Sequence, residues 1–198
     1  KIVNTNSQNA RYYGKSSLCP CCLTQDETLE HVFSCLSEGS TDYRLKALAL
    51  LQEDLVSIKT PPVVTSAIIH GITMWIRQQT EEEVSIHAPT VGFLRGTDVF
   101  VTAAFAEQHQ SIGWFHLLLG RFSSRWGQAV SVHDRSTDPS YHKLWSAQAI
   151  SFMWKYTRSL WSYRNTVVHG ATDQEVAAKL RGALEDQARS LYQTFHSS

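Results

Sequence analysis

A mostly α-helical fold, with a small cysteine-rich module in residues 1–36 leading into a helical domain at 37–198, follows from three observations. Apolar residues recur at helical spacing through most of the chain beyond Ser37, Pro and Gly punctuate those stretches, and all four cysteines fall between Cys19 and Cys35. The 42% hydrophobic content, with six Trp, seven Tyr and eight Phe, is that of a folded protein. Eighteen basic residues balance eighteen acidic ones, which argues against indiscriminate polyanion binding by the chain as a whole. The longest apolar runs, such as Ala47 to Leu51 and Trp114 to Leu119, are too short to span a bilayer, so no membrane partner is expected.

Taken in order, residues 1–13 are polar and Asn-rich without a sustained period and read as an extended or loosely held lead-in. The cysteine module follows to Cys35, with a short helix expected from Glu27 to Cys35. A turn at 37–41 precedes a helix in which Leu45, Leu48, Leu51 (or Leu50) and Leu55 recur up to Ile58, and Pro61-Pro62 stops it. Val64 to about Gln79 predicts a second helix with Ile68, Ile72, Trp75 and Ile76 on one face. Between Val84 and Thr97, Pro89, Gly92 and Gly96 predict a loop with at most a short strand.

Asp98 is a cap for a helix to about His109, and Ser111 starts another through Trp114, Leu118, Phe122 and Trp126. Gly113, Gly120 and Gly127 recur there every seven residues, which fits either close backbone packing or a broken helix. The longest element, a central helix over about 139–169, starts at Asp138-Pro139 and stops at Gly170. It carries one apolar stripe through Trp145, Ala149, Phe152, Tyr156, Leu160, Tyr163 and Val167, and a second through Ile150, Trp154, Trp161 and Val168. Thr172 and Glu175 match a capping box for a final helix in which Val176, Leu180, Leu184, Ala188, Leu191 and Phe195 keep the helical period.

The cysteines and one histidine spell Cys-x2-Cys-x8-His-x3-Cys through Cys19, Cys22, His31 and Cys35, the ligand inventory of one structural Zn2+ site. Two sulfurs at the spacing of Cys19 and Cys22 share a tight turn, which Pro20 suits. His31 and Cys35 lie four apart and project from the same face of a helix. Cys21 competes with Cys22 as ligand, and disulfides or plain core cysteines are the rival readings. Three Cys and one His leave no open coordination position for a reacting water. Reduced thiols and the lack of an apolar export segment point to an intracellular compartment, nuclear or cytoplasmic. The chain begins at Lys1 rather than Met and is expected to be a piece of something longer.

Leu18-Cys19-Pro20-Cys21-Cys22, Glu27-Thr28-Leu29-Glu30-His31 and Ser34-Cys35 together resemble the zinc-binding segment downstream of the polymerase in non-LTR retrotransposon reverse transcriptases, over about Arg11 to Leu36. The resemblance implies nucleic-acid contact, with RNA or single-stranded DNA as partner, and a parent retroelement polyprotein of which this chain is the C-terminal part. No polymerase or endonuclease motif is present, so the parent's activity does not carry over. Arg11 and Lys15, with Tyr12 and Tyr13 between them, form a small basic and aromatic patch able to stack a base and meet phosphates. Lys143, Lys155 and Arg158, with Arg121 and Arg125, extend it if the fold brings them together; otherwise they are a solvated face.

A second constellation closes the long helix: Arg164, Asn165 and His169 resemble the Arg-polar-x3-His motif of HEPN RNA-cleaving domains. That resemblance implies a metal-independent cut in which His assists the ribose 2′-hydroxyl and Arg holds the phosphate, often across a dimer interface. Arg164 and His169 lie about 140° apart on an ideal helix, so meeting one phosphate needs unwinding or a partner chain. A purely structural reading also gives each residue work: Arg164 stacks on Trp161, Asn165 bonds locally and His169 sits at the negative end of the helix dipole. The expectation is a zinc-stabilised nucleic-acid-binding or assembly module rather than an enzyme, with an HEPN-like RNase and a helical protein-interaction scaffold as alternatives.

Overall fold

The computed structural model describes residues 5–13, 16–79, 99–134 and 140–196. Apart from an isolated antiparallel bridge between Leu18 and Asp26, the regular structure of these residues is helical: α1 (Asn6–Tyr13), α2 (Leu29–Ser34), α3 (Glu38–Ser57), α4 (Pro62–Gln79), α5 (Val99–Glu107), a π turn (Gln108–Ile112), α6 (Trp114–Leu118), α7 (Ser124–Asp134), α8 (Tyr141–His169) and α9 (Asp173–His196). Among them no helix is long and apolar enough to cross a membrane. The loop expected between Val84 and Thr97, the cap at Asp98 and the start at Asp138-Pro139 lie outside the described residues.

The first correction falls at the N-terminus, where a helix stands in place of the extended lead-in. Its cause is tertiary. Glu27 reaches back so that its Oε2 accepts from the Asn6 backbone N–H at 2.6 Å, and its carbonyl accepts from the Ser7 hydroxyl at 2.7 Å. A carboxylate at a helix N-terminus satisfies an otherwise orphaned donor and complements the dipole. No residue within α1 announces that cap.

Thr28 caps α2, its Oγ1 accepting from the His31 N–H at 3.1 Å, and Ser37 does the same for α3 through Ser40. α3 ends at Ser57 with Ile58 as its C-cap, Lys59 at φ 59° turns the chain beyond it, and Pro62 opens α4 as its first helical residue. Pro61-Pro62 therefore stops one helix and starts the next. Val32 and Phe33 of α2, Leu51 and Leu55 of α3, Ile68 and Ile72 of α4, and Trp145 and Met153 of α8 belong to one buried apolar cluster. The cysteine module and the bundle thus share a core.

Both readings of the glycine series hold, at different positions. Gly113 and Gly120 sit at φ 91° and 89° and break the expected long helix into α6 and α7, as only glycine does without strain. Gly127 stays helical and packs on α8, where an added Cβ would stand 3.1 Å from Ser146 Oγ. From the π turn ahead of both breaks, fully buried Gln108 replaces missing helical bonds: its Oε1 accepts from the Ser123 N–H at 3.0 Å and its Nε2 donates to the Gly113 and Arg121 carbonyls.

α8 packs most extensively on α3 and also meets α2, α6, α7 and α9. Only one of its faces is buried, through Trp145, Ala149, Met153, Tyr156, Leu160 and Arg164. Of the second stripe, Trp154 is 56% exposed, while Ile150, Trp161 and Val168 are half-buried and Trp161 packs against the core. In α9 the apolar period is present as expected, but Leu180, Leu184, Leu191 and Phe195 are all exposed.

Candidate metal centre

The turn carrying Cys19 and Cys22 is closed by the bridge at its base, where the Cys19 N–H donates to the Gln25 carbonyl at 2.7 Å and the Glu27 N–H donates to Ser17 at 2.8 Å. Leu23, at φ 59°, reverses the chain within it. Opposite stands α2, which presents His31 and, just past its last turn, Cys35. The ligand atoms of Cys19, Cys22, His31 and Cys35 all lie within 4.8 Å of one another, so the four can hold one metal ion. Cys21 is outside that group and lines a small cavity with Ser40, Arg44 and Tyr163.

The edges of this cluster carry chemical information. Cys19 Sγ and Cys35 Sγ are 3.8 Å apart, and Cys22 Sγ is 3.4 Å from His31 Nε2. A tetrahedral ion with metal–sulfur bonds of about 2.3 Å and a metal–nitrogen bond of about 2.0 Å has edges of about 3.8 and 3.5 Å. Cys19 and Cys35 are buried, His31 nearly so, and Cys22 is half-exposed.

Crowding of the thiols moves their proton affinities. Its hydrogen bond with Cys21 chiefly pushes the Cys19 thiol up to about 11, while the same bond, seen from Cys21, brings that thiol down to about 7. Cys35 is raised by its hydrogen bond with Cys19 and by burial. Burial works against the Cys22 thiolate, but hydrogen bonds from Thr24 and the backbone outweigh it and lower its pKa. The His31 imidazole is raised, mainly by its hydrogen bond to Cys35. A cation taken up here displaces thiol protons, which makes uptake weaken as pH falls.

Two arginines fasten the centre to the bundle. Arg44 of α3 is buried and its Nη1 donates to the carbonyls of Phe33, at 3.3 Å, and Cys35, at 2.9 Å, satisfying the end of α2. Arg164 of α8 grips Glu27 with both arms: Nε donates to Oε1 at 2.5 Å and Nη2 to Oε2 at 2.6 Å. It also donates to Asn6 Oδ1 at 3.1 Å and Asn165 Oδ1 at 3.2 Å, and its Cζ lies 5.0 Å from the centre of the Trp161 ring. Arg164 is 6% exposed and Glu27 fully buried, whereas His169, five residues on at the last position of the same helix, is exposed. An RNA phosphate at Arg164 would have to displace Glu27.

Arg11, Tyr12 and Tyr13 fall in the last turn of α1; their side chains, and Lys15 altogether, lie outside the described residues. Among the outlying cations, Lys155 is paired with Asp54 at 2.7 Å and Arg125 with Glu107 at 3.3 Å, while Arg121, Lys143 and Arg158 are exposed. Glu27, Arg44 and Asn6 have structural roles that sequence reasoning did not assign; Glu27 figured only as part of a motif. No family model, curated protein or solved structure matches the chain.

Proposed function

We propose that Cys19, Cys22, His31 and Cys35 hold a structural Zn2+, and that the chain is a nucleic-acid-binding module derived from the C-terminal part of a retroelement reverse transcriptase. The convergence of four ligand atoms within 4.8 Å of one another, two of the spacings being 3.8 and 3.4 Å, carries the metal reading. Three thiolates and an imidazole favour zinc over the hard cations, which take oxygen ligands. With every position filled by protein, the ion cross-links the chain and activates no water.

The nucleic-acid reading is supported by the sequence resemblance and by the anchoring of α1. Asn6 and Ser7 are bonded to Glu27, which begins the segment leading to His31, so the helix bearing Arg11, Tyr12 and Tyr13 starts beside the metal module. The balanced net charge limits this to a local contact of a few phosphates. Titrating zinc-loaded protein into a fluorescent single-stranded RNA at several salt concentrations tests it. Binding should weaken as salt rises and again in Arg11→Ala/Lys15→Ala. Salt-indifferent binding, or none, would count against the reading. Cleavage of the RNA that survives chelation and is lost in His169→Ala would instead favour the RNase alternative.

A further inference from the structure

We infer that Arg44 is the counter-charge of the metal centre: its buried guanidinium offsets the one net negative charge that three thiolates and an imidazole leave on a divalent ion, and so sets how tightly the site holds Zn2+. The inference rests on the structural-zinc reading above and adds to it the residue that tunes the ion.

Arg44 has an uncommon setting for a guanidinium. It is 6% exposed, and each acceptor it meets is uncharged: the Phe33 and Cys35 carbonyls, and Thr41 Oγ1 at 3.3 Å from Nη2. Among the described residues no carboxylate pairs with it, and the ionisable groups that bear on its charge are the Cys35 thiol and the Tyr156 hydroxyl. Arg164, the other arginine buried at this junction, is matched by the Glu27 carboxylate at 2.5 Å. A buried cation without an opposite charge is costly, and neutral carbonyls offset only part of that cost.

An occupied metal centre supplies the missing charge. Cys3His ligation puts three thiolates around a doubly charged ion, so the filled site is an anion of unit charge. Arg44 stands against it. Its Nη1 is bonded to the carbonyl of the ligand Cys35, and its side chain shares a cavity of about 10 Å³ with Cys19, Cys21 and Cys35. The Cys21 N–H also points at Cys19 Sγ, at 3.4 Å, but a backbone dipole eases the charge of a thiolate without cancelling it. With Cys19, Cys35 and Arg44 all buried, water screens this attraction less than it would at a surface. A centre of two thiolates and two imidazoles would be neutral when filled and would draw no such support from Arg44.

Competitive titration against a chromophoric chelator tests this. It gives the zinc affinity of the full reduced chain and of Arg44→Gln and Arg44→Lys, each with Cys22 in place and in a Cys22→His background. Arg44→Gln keeps a donor for the carbonyls but no charge. It should weaken zinc binding about 10–100-fold with Cys22 present, and less than about threefold in Cys22→His, whose filled site is neutral. Arg44→Lys keeps the charge and should stay within about threefold of the matching Arg44 protein in both backgrounds. An equal loss for Arg44→Gln in the two backgrounds, or unchanged zinc binding in that variant, overturns the proposal and leaves Arg44 as a clasp on the end of α2. A loss of about tenfold or more in Arg44→Lys overturns it as well, and does so even if Arg44→Gln fails to fold. A parent chain that takes up no zinc overturns the zinc reading itself, and this inference with it.

Discussion

Arg164 and Glu27, 137 residues apart in sequence, form a two-armed ion pair at 2.5 and 2.6 Å that locks the long helix α8 to the cysteine module. Because Glu27 is fully buried and Arg164 nearly so, the pair is a junction rather than a surface decoration. Glu27 also caps α1 through Asn6, so one carboxylate joins three segments.

Breaking this pair from one side should be costly. Glu27→Gln or Arg164→Met leaves an uncompensated buried group, with an expected loss of about 3–5 kcal/mol. The double variant Glu27→Gln/Arg164→Met should lose clearly less than the sum of the two, by about 2 kcal/mol or more, in urea denaturation. Additive losses would mean that the two side chains act independently.

Chelation should act beyond the cysteine module. Val32 and Phe33 lie in the common core and Arg44 bonds the carbonyl of Cys35, so loosening the centre withdraws contacts from α3, α4 and α8. Treating the protein with a strong chelator should leave most helicity at room temperature, lower the thermal midpoint of the bundle, and speed amide exchange first in residues 17–36. An unchanged midpoint would place the module outside the bundle's cooperative unit.

Glycine substitutions should have opposite signs at defined sites. At Gly71 an added Cβ runs into the ring of Trp114, which is buried and donates from Nε1 to His109 Nδ1, so Gly71→Ala should cost about 1–3 kcal/mol or more. Gly120→Ala combines φ 89° with a Cβ 2.7 Å from Trp154 Nε1 and should also destabilise. Gly182 of α9 meets nothing within 4 Å, and Gly182→Ala should raise helix stability by about 0.5–1 kcal/mol. Circular dichroism melts of the three variants read these signs directly.

His70 adds an acid-sensitive element. Burial, helped by Arg77, holds its imidazole below the ordinary 6.5. The unfolded chain therefore takes up this proton first as pH falls, and stability is lost from about pH 6.5 downward until the folded-state value is passed. His70→Gln should flatten the decline of the thermal midpoint over that window, relative to the parent measured alongside at saturating zinc. Parallel curves would show that His70 titrates alike in both states.

Local patterns were legible in the sequence. The four residues that could hold a metal lie within one short stretch and come together, the Trp145 to Leu160 stripe follows helical period, and the Thr172/Glu175 box forms its Thr172 bond as read. The structural reading of the Arg164 cluster also matches its geometry, with Trp161 beneath the guanidinium and Asn165 beside it. What depends on distant partners was not legible. α1 is held by a carboxylate 21 residues away in sequence, and nothing in a single chain announces that Arg44 or Arg164 will meet its acceptors. Gly113 and Gly127 look alike in sequence, and only the neighbouring helix separates a break from a close contact. The α9 stripe has the same spacing whether its cover is the chain's own core or another molecule.

The most direct test of the zinc-centred account is X-ray absorption at the zinc edge, with elemental analysis, on protein purified without added metal. One zinc per chain, bound by three sulfurs at about 2.3 Å and one nitrogen at about 2.0 Å, is the predicted result. A well-folded preparation lacking stoichiometric metal, or a zinc shell containing oxygen in place of the Cys19, Cys22 and Cys35 sulfurs, would contradict it.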